Sequence, residues 1–284
     1  MKIVCLQGGL GNQMFQYAFY RYLKTKGRRV VLDASSKSLN FHTGFELPRI
    51  FPNIRIENKI IDPYLIRRIK HVVFSNLQKY PLEFVGKDSN INIKERAFHE
   101  IVYYGVWAQY DYVWDIYEQL LADFEFIPFN EAQNIAIAEH IAHTFSVSIH
   151  IRQGDYHATT AAQASYGDVC TIDYYKTAIK KITEAIPKPV FFVFSDDIDW
   201  AKNHLFLDGA FFIDWNKGKN SFRDMQLMTI CKHNIIANST FSWWGAVLNR
   251  NKHKIIITPT KFNNAEDKPF LIPDKWIKIT AQKN

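Results

Sequence analysis

The chain has 284 residues, 47% of them hydrophobic and 15% aromatic, and carries a net charge of +7. That length and apolar content suit one large globular domain or two of ordinary size, and they exclude a disordered or fibrous chain. The positive balance suits an anionic partner, yet the basic residues are scattered, with short clusters only at Arg28-Arg29, Arg67-Arg68 and Lys180-Lys181. No nucleic-acid-reading module is legible, so nucleic acid is not an expected partner. Cys5, Cys170 and Cys231 are odd in number and lack metal or redox spacing, as expected of reduced cytoplasmic thiols. Lys2-Ile3-Val4-Cys5-Leu6 enters a strand at once, which leaves no pattern for a secretory leader. No run approaches the roughly 18 apolar residues of a spanning helix. Any contact with an anionic membrane is therefore expected to be peripheral, through the basic, aromatic stretch from Tyr64 to Tyr80.

In chain order, the N-terminus reads as strand Lys2 to Leu6, a glycine-rich turn, a helix from Gln13 to Lys26 and a strand from Arg29 to Leu32. Phe15, Ala18, Phe19, Tyr22 and Leu23 fall on one face of that helix, and Gly27 stands where a C-terminal cap belongs. The pattern is less regular from Phe41 to Tyr103. Helices are expected over Tyr112 to Asp123 and Asn130 to Thr144.

Strands and helices then alternate. Strands are expected over Ser146 to Arg152, Val190 to Phe194, Ala210 to Ile213, Asn234 to Ala237 and Ile255 to Thr258, with the clearest helix over Ile172 to Ile186. Such alternation predicts an α/β fold on parallel sheets, with ligands at the carboxyl ends of the strands. Two Rossmann-type halves are expected to face one another across a cleft, the first over residues 1–142 and the second over 143–284.

Three segments could carry chemistry. In the first, Gly8-Gly9-Leu10-Gly11-Asn12-Gln13-Met14, Met14 occupies the place of a dinucleotide fingerprint's third glycine, and no Lys-Ser/Thr pair makes a P-loop. Asn12 and Gln13 supply neutral hydrogen-bonding groups at the helix start, and a turn capped by Asn12 explains the segment as well. In the second, His150-Ile151-Arg152-Gln153-Gly154-Asp155-Tyr156, the alternation puts His150 and Arg152 on one face, and Gly154 lets Asp155 project from a loop. In the third, Asn238-Ser239-Thr240-Phe241-Ser242-Trp243-Trp244-Gly245, Ser239 or Thr240 suits an N-cap. The free amides of a helix start bind phosphate without a formal charge, so Arg152 and this helix could clamp one diphosphate.

Ser195-Asp196-Asp197-Ile198-Asp199 admits a divalent metal, but Asp197 and Asp199 suit the first turn of a helix running to Leu205 better. Neither a zinc-binding histidine pattern nor a serine-hydrolase elbow is present.

Gly8 to Tyr17, His150 to Tyr156, Phe194-Ser195-Asp196-Asp197 and Asn238 to Ala246, in this order along the whole chain, resemble the bacterial alpha-1,2-fucosyltransferases of glycosyltransferase family eleven. Asp224-Met225 and Cys231 to Ile236 resemble them too. The resemblance implies a GT-B-like architecture with an N-terminal acceptor-side domain and a C-terminal donor domain. It further implies GDP-fucose as donor, no metal or other cofactor, inversion at the anomeric carbon, and a terminal beta-galactoside of a surface polysaccharide or O-antigen as acceptor. It places the protein in the cytoplasm, peripheral to the inner membrane.

Residue by residue, Arg152 would bind the diphosphate, His150 would lie against the nucleotide and Asn12 would reach the reacting centre. Gln13, Ser195, Asp196, Asp197, Asn238, Ser239, Thr240 and Phe241 would complete the donor site. Gln153 stands where many relatives have a second arginine, which leaves Arg152 as the charge that stabilises departing GDP. Asp155 is the carboxylate available to accept the attacking hydroxyl's proton. Trp107 and Gln109 could form a sugar platform for the acceptor. Two alternatives are a metal-dependent transferase built on Asp197 and Asp199, and a non-catalytic glycan or nucleotide-sugar binding module.

Overall fold

The computed structural model describes residues 2–35, 39, 43–54, 56, 102–265 and 271–280. The membrane-facing role expected of Tyr64 to Tyr80 lies outside the described residues. The chain divides into two compact units, residues 1–127 and 128–284.

In the first unit, β1 (Lys2–Cys5), α1 (Leu10–Thr25) and β2 (Val30–Asp33) are followed by α2 (Leu47–Ile50), β3 (Val102–Tyr104), α3 (Tyr110–Asp115) and α4 (Tyr117–Asp123). The sheet is parallel with order β2-β1-β3. The expected helix over Tyr112 to Asp123 is two helices, because Ile116 leaves the helical region at φ −125°.

Helix α1 begins at Leu10, ahead of the expected Gln13. Gly8 takes a left-handed φ of 74° and Gly9 an extended φ, ψ of −77°, 179°, so the chain has finished turning before Leu10. Asn12 therefore sits inside the first turn and does not cap it. At the far end Gly27 is left-handed, and Arg28 N–H donates to Leu23 O at 3.2 Å. The glycine closes the helix as its position predicted.

The second unit contains α5 (Ala132–Ala142), β4 (Phe145–Ile151), α6 (Gly154–His157), α7 (Thr160–Tyr166), α8 (Ile172–Ala185), β5 (Pro189–Ser195), α9 (Ile198–His204), β6 (Phe211–Ile213), α10 (Phe222–Ile230), β7 (His233–Ile235), α11 (Thr240–Val247), β8 (Ile256–Pro259) and β9 (Ile277–Ile279). Its sheet has six strands in the order β6-β5-β4-β7-β8-β9, all parallel.

The expected boundary after residue 142 falls later than the observed division, because α5 belongs to the second core. Ile137 and Ile141 pack with Phe192, Phe194, Leu227 and Met228, and Asn134 Nδ2 donates to Asn216 Oδ1 at 2.9 Å. Two α/β units on parallel sheets agree with the architecture that the resemblance implied.

Strand β4 shows why its alternation was readable. Val147, Ile149 and Ile151 face a core with Tyr174, Tyr175 and Ile182. The interleaved hydroxyls are spent on neighbours: Ser148 Oγ accepts Asn234 Nδ2 at 2.7 Å and Ser146 Oγ accepts Lys232 N–H at 3.0 Å. Helix α11 lies close on α10, where a Cβ on Gly245 would come within 3.0 Å of Met228 Cβ.

Candidate functional site

Strand order reverses between β4 and β7, and such a switch point opens a crevice at the carboxyl ends of the two strands. The chain leaves β4 into Arg152 and leaves β7 toward Asn238 and Ser239. Two of the segments singled out in the sequence thus meet where the topology provides a site.

Arg152 lies just beyond the end of β4, half-buried. Its Nε is 3.4 Å from Asp196 Oδ2, and its guanidinium lies 5.8 Å from the centre of the Tyr156 ring. Asp196 Oδ1 also accepts the Gln153 N–H at 2.9 Å. One carboxylate therefore ties the β4 and β5 ends together and holds the guanidinium by its Nε edge. Tyr156 Oη donates to Asn238 O at 2.8 Å, which fastens the Arg152 loop to the α11 loop. Sequence reasoning gave Asp196 to the ligand and assigned Tyr156 nothing. The spacing of Arg152 and Tyr156 across short helix α6 was the available signal.

His150 is buried at the end of β4, its ring centre 5.6 Å from that of Phe241 and tilted by 33°. Ser239 caps α11: its Oγ accepts the Phe241 N–H at 3.3 Å. No acidic residue occupies the first turn of α11, and the positive end of a helix favours an anion. Thr240 and Phe241 are half-buried in that turn. Asn238 is a scaffold residue, because its Nδ2 donates to Tyr166 O and Phe262 O, both at 3.1 Å.

The carboxylates after β5 have distinct jobs. Ser195 Oγ accepts the Asp197 N–H at 3.0 Å, and Asp197 Oδ1 accepts the Trp200 N–H at 3.0 Å, which makes Asp197 the N-cap of α9. Asp199 follows in the first turn. The helix-start reading of these acids is the observed one. Among the described residues no three His, Cys, Asp or Glu side chains group as metal ligands would. The side chain of Asp155 lies outside the described residues; its backbone belongs to α6.

Asp224, in the first turn of α10, accepts Asn216 Nδ2 at 2.8 Å, and burial pushes its carboxyl up to about 8. Burial likewise pushes the Cys170 thiol up to about 12, which suits an inert core cysteine.

In the first unit the glycine-rich turn is self-contained. Gln13 is fully buried, and its Nε2 donates to Gly8 O at 3.0 Å and Gly44 O at 2.9 Å. Its Oε1 accepts the Glu46 N–H at 3.0 Å. In the structure the Gln13 amide, expected at the donor, latches the turn to residues 44–46. Asn12 is half-buried, packed so that a Cβ on Gly8 would lie 2.7 Å from its Nδ2. Trp107, where a sugar platform was expected, is a buried indole that stacks on Phe19 with ring centres 4.5 Å apart. Gln109 is buried beside it, leading into α3.

No helix among the described residues is long and apolar enough to cross a membrane.

Comparison with known proteins shows the family. The model of Glycosyl transferase family 11 matches residues 1–280. An alpha-1,2-colitosyltransferase of Escherichia coli is 35% identical, over 96% of this chain and 97% of that protein. The O-antigen biosynthesis glycosyltransferase WbnK, also of Escherichia coli, is 32% identical over 97% and 99%. A galactoside 2-alpha-L-fucosyltransferase, Sec1 of Mus musculus, is 27% identical over 87% of this chain and 64% of its own. Among solved structures, the NodZ alpha-1,6-fucosyltransferase aligns with a TM-score of 0.44 at 13% identity, over 87% of this chain and 91% of that one. A family match that runs almost from end to end, with full-length relatives above 30% identity, settles what the four motifs suggested: this chain is a glycosyltransferase and belongs to glycosyl transferase family 11.

Proposed function

We propose that the protein transfers L-fucose from GDP-fucose to the 2-hydroxyl of a terminal beta-galactoside, with inversion and without a metal, during assembly of a surface polysaccharide such as an O-antigen. The observation that carries this reading is Arg152, held by Asp196 at the β4–β7 switch point beside the start of α11, whose first turn carries no acidic residue. When the acceptor hydroxyl attacks the anomeric carbon, the bond to GDP breaks and negative charge grows on the terminal phosphate. A guanidinium and a helix N-terminus aimed at that charge stabilise it most in the transition state. The names of the E. coli and mouse relatives support the linkage, the O-antigen context and the galactoside acceptor.

In this reading the second unit holds the donor. His150 and Phe241 flank the nucleotide, while Ser239 and Thr240 present the helix start to the diphosphate. Asn12 and the rest of the first unit serve the acceptor side. Asp155 accepts the proton of the attacking hydroxyl.

A second donor is favoured by one observation, the 35% identity to an alpha-1,2-colitosyltransferase. Colitose is fucose without its 3-hydroxyl, so both donors present the same leaving group to Arg152. The test is to incubate the protein with GDP-fucose or GDP-colitose and a panel of beta-galactosides, with EDTA or with manganese. Fucosylated product in EDTA, linked at the 2-position, is the expected result. Transfer of colitose alone would reassign the donor, and transfer only with manganese would reassign the chemistry. GDP binding without transfer from either donor would leave a binding module.

A further inference from the structure

We propose that the amino-terminal edge of the six-stranded sheet, opposite the donor site, docks on a phospholipid surface that carries anionic headgroups. Because all six strands are parallel, every strand enters the sheet at one edge and leaves at the other. Arg152, Asp196 and Ser239 lie at the leaving edge. The entering edge has a different chemistry.

The four contiguous central strands are β5, β4, β7 and β8, and the short loops that enter them contain no Asp or Glu. Those loops carry Lys188, Lys232, Arg250 and Lys252, all at least partly exposed. In the entering segments acids return before the outer strands, Asp208 ahead of β6 and Glu266, Asp267 and Asp274 ahead of β9, and Glu184 lies in the last turn of α8 before Lys188.

Large apolar side chains lie at the same edge. Phe145 is 46% exposed, Ile230 43% and Phe206, in the loop entering β6, 88%. Lys232 Nζ lies 4.9 Å from the centre of the Phe145 ring, so an amine and an aromatic face are presented together.

This combination selects the occupant. Cations draw anionic headgroups, each Lys or Arg near such a surface adding to the affinity, and exposed apolar side chains gain by entering the headgroup boundary. A second copy of the chain would bring like charge against like, and a nucleic acid would leave Ile230 and Phe206 in water. The seven residues of β4, at about 3.3 Å each, would hold the donor site about 20 Å from the surface. That stand-off suits an acceptor sugar at the end of a lipid-anchored glycan.

The test is co-sedimentation of the full chain with phosphatidylcholine vesicles, with and without about 30% phosphatidylglycerol, at low and high salt. Wild type is expected to bind only the phosphatidylglycerol vesicles, and less at high salt. The triple variant Lys188→Glu, Lys232→Glu, Lys252→Glu should bind at least roughly tenfold more weakly. A control with the same change in charge, Lys176→Glu, Lys180→Glu, Lys181→Glu on α8, should bind like wild type. Unchanged thermal unfolding midpoints keep misfolding out of the comparison. If the edge variant unfolds early, the milder Lys188→Ser, Lys252→Ser pair should show a smaller loss in the same direction. No binding by wild type, equal losses in both triples, or binding to duplex DNA but not to vesicles would each overturn the proposal. None of these readouts depends on the donor or the acceptor.

Discussion

The two units contain topologically equivalent switch points with opposite fates. In the first, strand order reverses at β1, and the glycine turn leaving that strand spends its amides on its own unit: Gln13 on Gly8, Gly44 and Glu46, and Gln16 on Gln7 and Gly105. In the second, order reverses between β4 and β7, and the groups there include the partly exposed, charged Arg152 and Asp196, which join the β4, β5 and α11 loops. A buried polar group with every hydrogen bond satisfied is scaffold, because exchanging a partner for a ligand would cost as much as it returned. The Arg152 guanidinium, held at its Nε edge by Asp196, is a charged fork of five donors at a partly open position. The proposed function rests on this contrast between polar residues that hold the fold and those placed to meet a substrate.

The contrast breaks most directly at Arg152. Arg152→Lys keeps the charge but loses the planar fork that meets two phosphate oxygens, and about 10²-fold should disappear from kcat with the fold intact. Turnover near wild type, measured as GDP release, would show that the diphosphate lies elsewhere. The opposite outcome is expected in the first unit. Gln13→Leu preserves volume but strands two carbonyls and one N–H, and it should cost about 2 kcal/mol of stability. The unfolding midpoint should fall while GDP affinity by calorimetry stays the same. A lost affinity with an unchanged midpoint would return Gln13 to the donor site.

Asp196 sharpens the comparison. Its ion pair with Arg152 is partly open to water and contributes little stability, so its value is in aiming the guanidinium. Asp196→Asn keeps an acceptor for the Gln153 N–H but removes the charge that holds Nε. It should lower kcat by about tenfold with little change in midpoint, as small misplacements of a catalytic charge do. Parallel losses of kcat and stability would mean that the residue only knits the loops together.

The limits of the sequence have the same physical origin. Features fixed by near neighbours were legible: the alternation of β4, the left-handed Gly27, the Ser239 cap on α11 and the helix-start acid Asp197 all depend on residues a few positions away. The surroundings of other residues depend on distant ones. Gln13 resembles a ligand-binding amide until Gly44 and Glu46 arrive from another loop. Trp107 could be a platform or a core residue, and only Phe19 beneath it decides. That Asp196 is a carboxylate that steadies Arg152 required the pairing of β4 with β5. Helix α5 was assigned to the wrong unit because the Asn134–Asn216 contact joins segments 82 positions apart.

Asp197 gives the smallest expected effect and closes the argument over metal. With its Oδ1 on the Trp200 N–H, Asp197→Ala removes a helix cap and should cost about 1 kcal/mol of stability. Because the carboxylate is already committed to the start of α9, transfer by the variant should equal that of wild type, and EDTA should leave both unchanged. A metal-dependent transferase would answer differently: turnover would collapse in the variant far beyond its loss of stability, and manganese would restore wild type after chelation. The cap and the metal ligand are the same atom put to two uses, so the ratio of lost activity to lost stability at this one position decides between them.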